Sequence, residues 1–221
     1  MPNLERNDRR SRSLFTTEAR RESALCSLRF AAAVLVLIGF FAPWMAHKTA
    51  ALTVTGYELS EFAKFFPQVQ GGVVPVRRAL FVTPLLAALT SLALTFHRSG
   101  TRPFLRFGVT FLAALLALAV LPPHQSILDP AYRLQLTLLA AGLLLTALSP
   151  LTAQLSERLR GALFFLLALL GAIPASWQYL LLRPLVTGLY ESRVLPGWGL
   201  ILSMTGFLLL AFSGLRDMFT S

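Results

Sequence analysis

Leu112-Ala113-Ala114-Leu115-Leu116-Ala117-Leu118-Ala119-Val120-Leu121 is apolar at every position, and so is Leu163–Leu170. A membrane β-barrel strand alternates apolar and polar residues over about 10 positions. These runs do not alternate. In hydrocarbon the backbone must satisfy its own hydrogen bonds, and a helix does so within one segment. Working outward from these runs, six charge-free apolar stretches stand out: 30–46, 79–96, 107–121, 134–149, 161–182 and 194–215. Each approaches the roughly 20 residues that cross about 30 Å of hydrocarbon as a helix. The pattern predicts an all-α integral membrane protein, a six-transmembrane-helix bundle.

The composition agrees. The chain is 55% hydrophobic and 14% charged, against about 25% charged residues in soluble domains. The expected organisation is a basic, partly disordered cytoplasmic tail over 1–29, a transmembrane domain over 30–215, and a short cytoplasmic tail over 216–221. The first apolar stretch reads as an uncleaved signal anchor, because no small-x-small cleavage site follows it cleanly.

A net charge of +10 raises the question of nucleic acid. The charges track the loops instead. With the N-terminus inside, the inner segments hold Arg6, Arg9, Arg10, Arg12, Arg20, Arg21 and Arg29, then Arg98, Arg102 and Arg106, then Arg158, Arg160 and Arg216. The outer loops hold Lys48, Lys64, Arg77, Arg78, Arg133, Arg183 and Arg193. Thirteen against seven favours both termini in the cytoplasm of an inner membrane. Arg77-Arg78 is the pair that fits this topology worst. No nucleic acid is expected as a partner; membrane lipids are.

All three tryptophans and all four tyrosines (Trp44, Tyr57, Tyr132, Trp177, Tyr179, Tyr190 and Trp198) then fall on the outer side. Such rings usually line both interfaces. The asymmetry points to the outer face as the place where something is packed or bound.

The first outer loop, 47–78, carries the most structure. Residues 51–55 alternate like a short strand. Thr55-Gly56-Tyr57-Glu58 fits a capping box, in which hydroxyl and carboxylate satisfy each other's amides. Leu59, Phe62, Ala63 and Phe66 follow at helical spacing, and Pro67 ends the run. The pattern predicts a short amphipathic helix lying on the extracytoplasmic surface.

Helix association in lipid relies on small residues and hydroxyl groups. The second span carries Thr83, Ala87, Ser91 and Thr95, the fifth Ala168, Ala172 and Ser176, and the sixth Gly199, Ser203 and Gly206. These seams predict a compact bundle.

Chemistry is harder to find. Ionisable groups inside a membrane are usually functional, and the six stretches contain none. There is no His-Glu-x-x-His, Cys-x-x-Cys or Walker pattern, and no Gly-x-Ser-x-Gly. His47 and His124 are the remote candidates for a shared metal or haem site; His97 should lie inside. Cys26 is the lone cysteine and reads as inert. The pattern assigns no catalytic, cofactor or metal residue, and the chain reads as no enzyme.

The fifth span holds the best small cluster, Pro174-Ala175-Ser176-Trp177-Gln178-Tyr179. Its proline frees the carbonyl of Leu170. Broken helices of this kind build transporter sites, whereas Trp177 and Tyr179 also suit simple interface anchors. The residues expected to meet a partner or substrate are Tyr57, Phe62, Phe66, Ser176, Trp177, Gln178, Tyr179 and Trp198.

The function expected is that of an accessory or structural subunit. It binds another membrane protein, or a second copy of itself, through its aromatic outer face. The alternative is a permease-like subunit of ABC-exporter type for an apolar or lipid-like substrate.

Overall fold

The computed structural model describes residues 2–47, 52–96, 103–122, 127, 129–191 and 193–220; for residues 2–20, His47, Leu52, Pro103, Ala153 and Thr220 it describes the backbone alone. Helix α1 spans Pro2–Phe41. Strands β1 (Pro43–His47) and β2 (Leu52–Thr55) follow. Short helices α2 (Glu58–Phe62) and α3 (Pro67–Gln70) flank a single 3-10 turn at Ala63–Phe65. A 3-10 turn at Arg78–Val82 leads into α4, Thr83–Phe96. Helices α5 (Pro103–Ala119), α6 (Arg133–Ala147), α7 (Glu157–Leu189) and α8 (Trp198–Thr220) complete the bundle, with β3 (Leu195–Pro196) before α8.

Among the described residues, four helical segments are long and apolar enough to cross a membrane: Arg21–Phe41, Arg78–Phe96, Glu157–Leu189 and Trp198–Phe219. Together they agree with an all-α membrane protein. They also form the packed centre. α8 lies between α1 and α7, and α4 closes the group by packing on both α1 and α7. α5 and α6 lean on α4 from one side.

Close helix approach depends on small residues. A Cβ on Gly39 of α1 would lie 2.5 Å from Ser203 Oγ and 2.6 Å from the Gly199 carbonyl oxygen, both on α8. At the other end of α8, a Cβ on either Gly161 or Gly214 would lie 2.6 Å from the other's carbonyl oxygen. The Gly199–Ser203–Gly206 seam therefore faces inward, and its partner is α1.

The element boundaries depart from the apolar pattern in several places. The first span is not helical to residue 46. It stops at Phe41, because Pro43 disfavours helical backbone at Ala42, and residues 43–47 become β1. The fifth runs past Leu182 to Leu189. Arg183, which interrupts the apolar pattern, donates through Nε to the Val194 carbonyl at 3.2 Å instead of ending the helix. The sixth begins at Trp198, not at 194, because Leu195–Pro196 pairs with β1. It continues through 216–220, the stretch expected to be a free tail. At the N-terminus, residues 2–13 were expected to lack regular structure, and their backbone is the start of α1.

One end of the bundle carries a cap. β2, β1 and β3 form an antiparallel sheet with β1 in the middle. Residues 52–55 form the strand that the alternation predicts. The cap encloses its own core of Trp44, Leu59, Phe81, Tyr179, Leu182 and Val186, drawn from β1, α2, the turn before α4, and α7. The helix expected on the membrane surface is thus packed inward along its apolar face. Leu59, Ala63 and Phe66 are buried, whereas Phe65 is 77% exposed.

Candidate functional site

The capping box forms as its residue types dictate. Glu58 Oε2 accepts from the Thr55 amide at 2.9 Å and from its hydroxyl at 3.0 Å. The Glu58 amide donates to Thr55 Oγ1 at 3.2 Å. This fixes α2 against β2. The Trp44 indole donates to the Gly39 carbonyl at 2.8 Å, one of the last-turn carbonyls that a helix cannot satisfy itself. Trp44 also meets Tyr179 edge-on, with ring centroids 6.3 Å apart.

The expected contact residues separate into two groups. Phe66, Gln178 and Tyr179 are buried, and Tyr57, Phe62 and Ser176 are half-buried. Phe62 and Phe66 pack edge to face at 5.4 Å. Ser176 donates to Met204 Sδ at 3.2 Å. Gln178 Oε1 accepts from the Arg77 amide at 2.7 Å, which pins the loop before α4 to α7. These six side chains meet one another or the bundle. Trp177 and Trp198, by contrast, are 60% and 55% exposed. Their rings are left largely uncovered by the fold.

Trp198 borders a shallow apolar groove of about 520 Å³, lined by Leu37, Ile38, Phe41, Ala42, Pro43 and Leu116. A second cleft, of about 410 Å³, lies beside α3 and the turn before α4. It is lined by Lys64, Gln70, Arg78, Asp129 and Tyr132, with Val69 and Val76 as its apolar wall. Lys64 Nζ and Arg78 Cζ lie 5.0 and 5.4 Å from the centre of the Tyr132 ring, a distance at which cation–π attraction operates. Lys64 also bonds the Glu61 carboxylate and the Tyr132 hydroxyl. Burial alone would lower the Lys64 pKa; these two bonds outweigh it and raise the pKa above the ordinary lysine value. The Gln70 amide nitrogen donates to the Lys64 carbonyl at 2.6 Å. Asp129 Oδ1 caps the turn at Pro130–Tyr132 by accepting from the Ala131 amide at 2.8 Å.

This second cleft is absent from the expected contact set. Its signal in the sequence is Arg77-Arg78, the basic pair that fits the charge rule worst. The cleft joins segments about 50 residues apart, so no local spacing reveals it. A second group also escapes the sequence. Arg29 and Asp217, each outside the charge-free stretches, form a buried ion pair at the other end of the bundle.

His124, His97 and the His47 side chain lie outside the described residues. Among the described residues, no group of three or more His, Cys, Asp or Glu side chains is placed to hold a metal ion. The chain matches no family model, no curated protein and no solved structure.

Proposed function

We propose that this chain is a non-enzymatic accessory subunit of a bacterial-type inner membrane. It crosses six times, has both termini in the cytoplasm, and holds a second membrane protein at its extracytoplasmic cap. The asymmetry of basic residues supports the orientation. α5 and α6 have 17 and 15 residues, short for a crossing. The 3-10 turns at Pro130–Tyr132 and Ser149–Gln154 lengthen the helical path of α6 at both ends. Local thinning of the bilayer accommodates the remaining mismatch.

The observation that carries the partner reading is the cap itself. Its inner face is locked by Trp44, Leu59 and Tyr179, so its outer face has a fixed shape. Phe65 and Val73 project from that face, each 77% exposed. A prefolded surface binds with little ordering cost.

Affinity purification from native membranes in mild detergent tests this. A stoichiometric membrane protein that is lost with Phe65→Ser and Val73→Ser supports the reading. Dependence of oligomeric state on the same two residues makes a second copy the partner. The apolar groove beside Trp198 favours the alternative, a permease-like subunit of ABC-exporter type. A co-purifying ATPase would decide for it.

A further inference from the structure

We propose that the cleft between Lys64, Arg78 and Tyr132 binds the headgroup of a zwitterionic phospholipid that carries a primary amine, its phosphate against the two cations and its ammonium N–H donors against Asp129 and the Gln70 oxygen.

Two like charges share one aromatic ring here, at 5.0 and 5.4 Å. Glu61 neutralises Lys64. Arg78 has no carboxylate within ion-pair distance among the described residues. Its guanidinium carries five donors in a planar fork, the shape that grips a phosphate with paired bonds. A phosphate beside Arg78 and Lys64 relieves their mutual repulsion and uses donors that Tyr132 cannot.

The opposite wall selects the rest of the ligand. Asp129 Oδ1 is taken by the Ala131 amide, while Oδ2 has no partner among the described residues. Gln70 spends its nitrogen on the Lys64 carbonyl and presents its oxygen as an acceptor. An ammonium group satisfies both. A simple anion meets the Asp129 charge and is disfavoured. The lining of the cleft thus carries both signs of charge, as a zwitterionic headgroup does. Its volume, about 410 Å³, lies within the range of ligand pockets, roughly 300–1,000 Å³.

Position supports a lipid as the source. Arg78 is the first residue of the candidate crossing Arg78–Phe96, so the cleft sits where hydrocarbon gives way to headgroups. Arg77-Arg78 also lies on the side where basic residues are fewer, and a bound phosphate supplies a local reason for it. Only the choice of leaflet rests on the proposed orientation.

The test uses the full chain, stripped of lipid in detergent and titrated with phosphatidylethanolamine, phosphatidylcholine or phosphatidylglycerol under native mass spectrometry. This measurement needs neither a protein partner nor a known topology, so it stands apart from the accessory-subunit reading. The expected result is retention of phosphatidylethanolamine above the other two. Arg78→Gln should weaken that retention about tenfold, the effect of losing one charge-assisted hydrogen bond. Asp129→Asn, a milder change, should abolish the preference over phosphatidylglycerol. Arg193→Gln, an exposed arginine outside the cleft, should change nothing. Equal retention of all three lipids, or retention indifferent to Arg78→Gln and Asp129→Asn, would overturn the proposal. Soluble phosphoethanolamine and inorganic phosphate form separate arms. An Arg78-dependent thermal shift with either one, and no lipid preference, would assign the cleft to a free phosphate and overturn the lipid.

Discussion

Arg29 on α1 and Asp217 on α8 form a buried ion pair across 188 residues of chain. The pair reaches further than two helices. Arg29 Nε donates to Ser213 Oγ at 3.3 Å, and Nη2 to the Ser213 carbonyl at 3.4 Å. Its guanidinium also lies 4.1 Å from the centre of the Phe164 ring on α7. One side chain of α1 therefore ties three helices together, beside the last turn of α8.

Breaking a buried pair leaves one charge uncompensated, which costs about 3–5 kcal/mol. Asp217→Ala should lower thermal stability in detergent accordingly. The double variant Arg29→Met, Asp217→Leu removes both charges and should recover most of the loss, because an apolar pair of similar volume packs at little cost. If Asp217→Ala melts like the wild type, the pair does not hold the bundle.

The α1–α8 seam gives the second prediction. Ser203 is fully buried, and a Cβ on Gly39 would already crowd its hydroxyl. Ser203→Leu adds volume where none is free. Overpacking of this kind costs about 1–3 kcal/mol. Ser203→Ala should be close to neutral or slightly stabilising, since the hydroxyl has no hydrogen-bond partner among the described residues. Equal melting of the Leu and Ala variants would show that the seam can open.

These two contacts mark what sequence alone reveals. Gly199, Ser203 and Gly206 are legible as a small-residue stripe because their spacing is local. That Gly39 faces them is not, since a stripe does not name its partner. Thr55 and Glu58 are legible as a box for the same local reason. Arg29 and Asp217 are hidden, because charges are what end an apolar stretch. Arg183 is trimmed from its helix on the same ground. Gln178 stands out as an amide inside a span, while its partner is a backbone amide 101 residues away, which no residue type announces. Trp44 and Tyr179 are legible as aromatic anchors, but their burial comes from a sheet whose third strand is only Leu195–Pro196.

The capping box should matter for the cap and little for the bundle. Thr55→Ala removes the hydroxyl that receives the Glu58 amide, a change worth about 0.5–2 kcal/mol at helix caps. The expected outcome is faster amide hydrogen exchange across residues 52–66, with the α7–α8 interface unchanged. Uniform exchange in both regions would mean that the box does not order α2.

Gln178→Leu should release the loop before α4. The substitution keeps volume but leaves the Arg77 amide without its acceptor. The bond is only partly buried, so its loss should cost about 0.5–1.5 kcal/mol, the net worth of an ordinary hydrogen bond. Proteolysis within residues 71–78 should rise, and Gln178→Glu, which keeps an acceptor oxygen, should restore protection. If Leu and Glu behave alike, the hydrogen bond does not secure this loop.

The raised pKa of Lys64 fixes the pH behaviour of the cleft. Desolvation opposes the charge, but Glu61 and the Tyr132 hydroxyl outweigh it. A lysine whose folded pKa lies above its unfolded one, about 10.4, stabilises the fold fully below that unfolded value. The contribution disappears only as pH rises through the folded pKa. The difference in melting temperature between wild type and Lys64→Met should therefore stay constant from about pH 6 to about pH 9, since lysine does not titrate in that window. It should shrink only at higher pH, as Lys64 loses its proton. A difference that shrinks between pH 7 and 9 would mean that Lys64 titrates below its ordinary value, and that Glu61 and Tyr132 do not hold its charge.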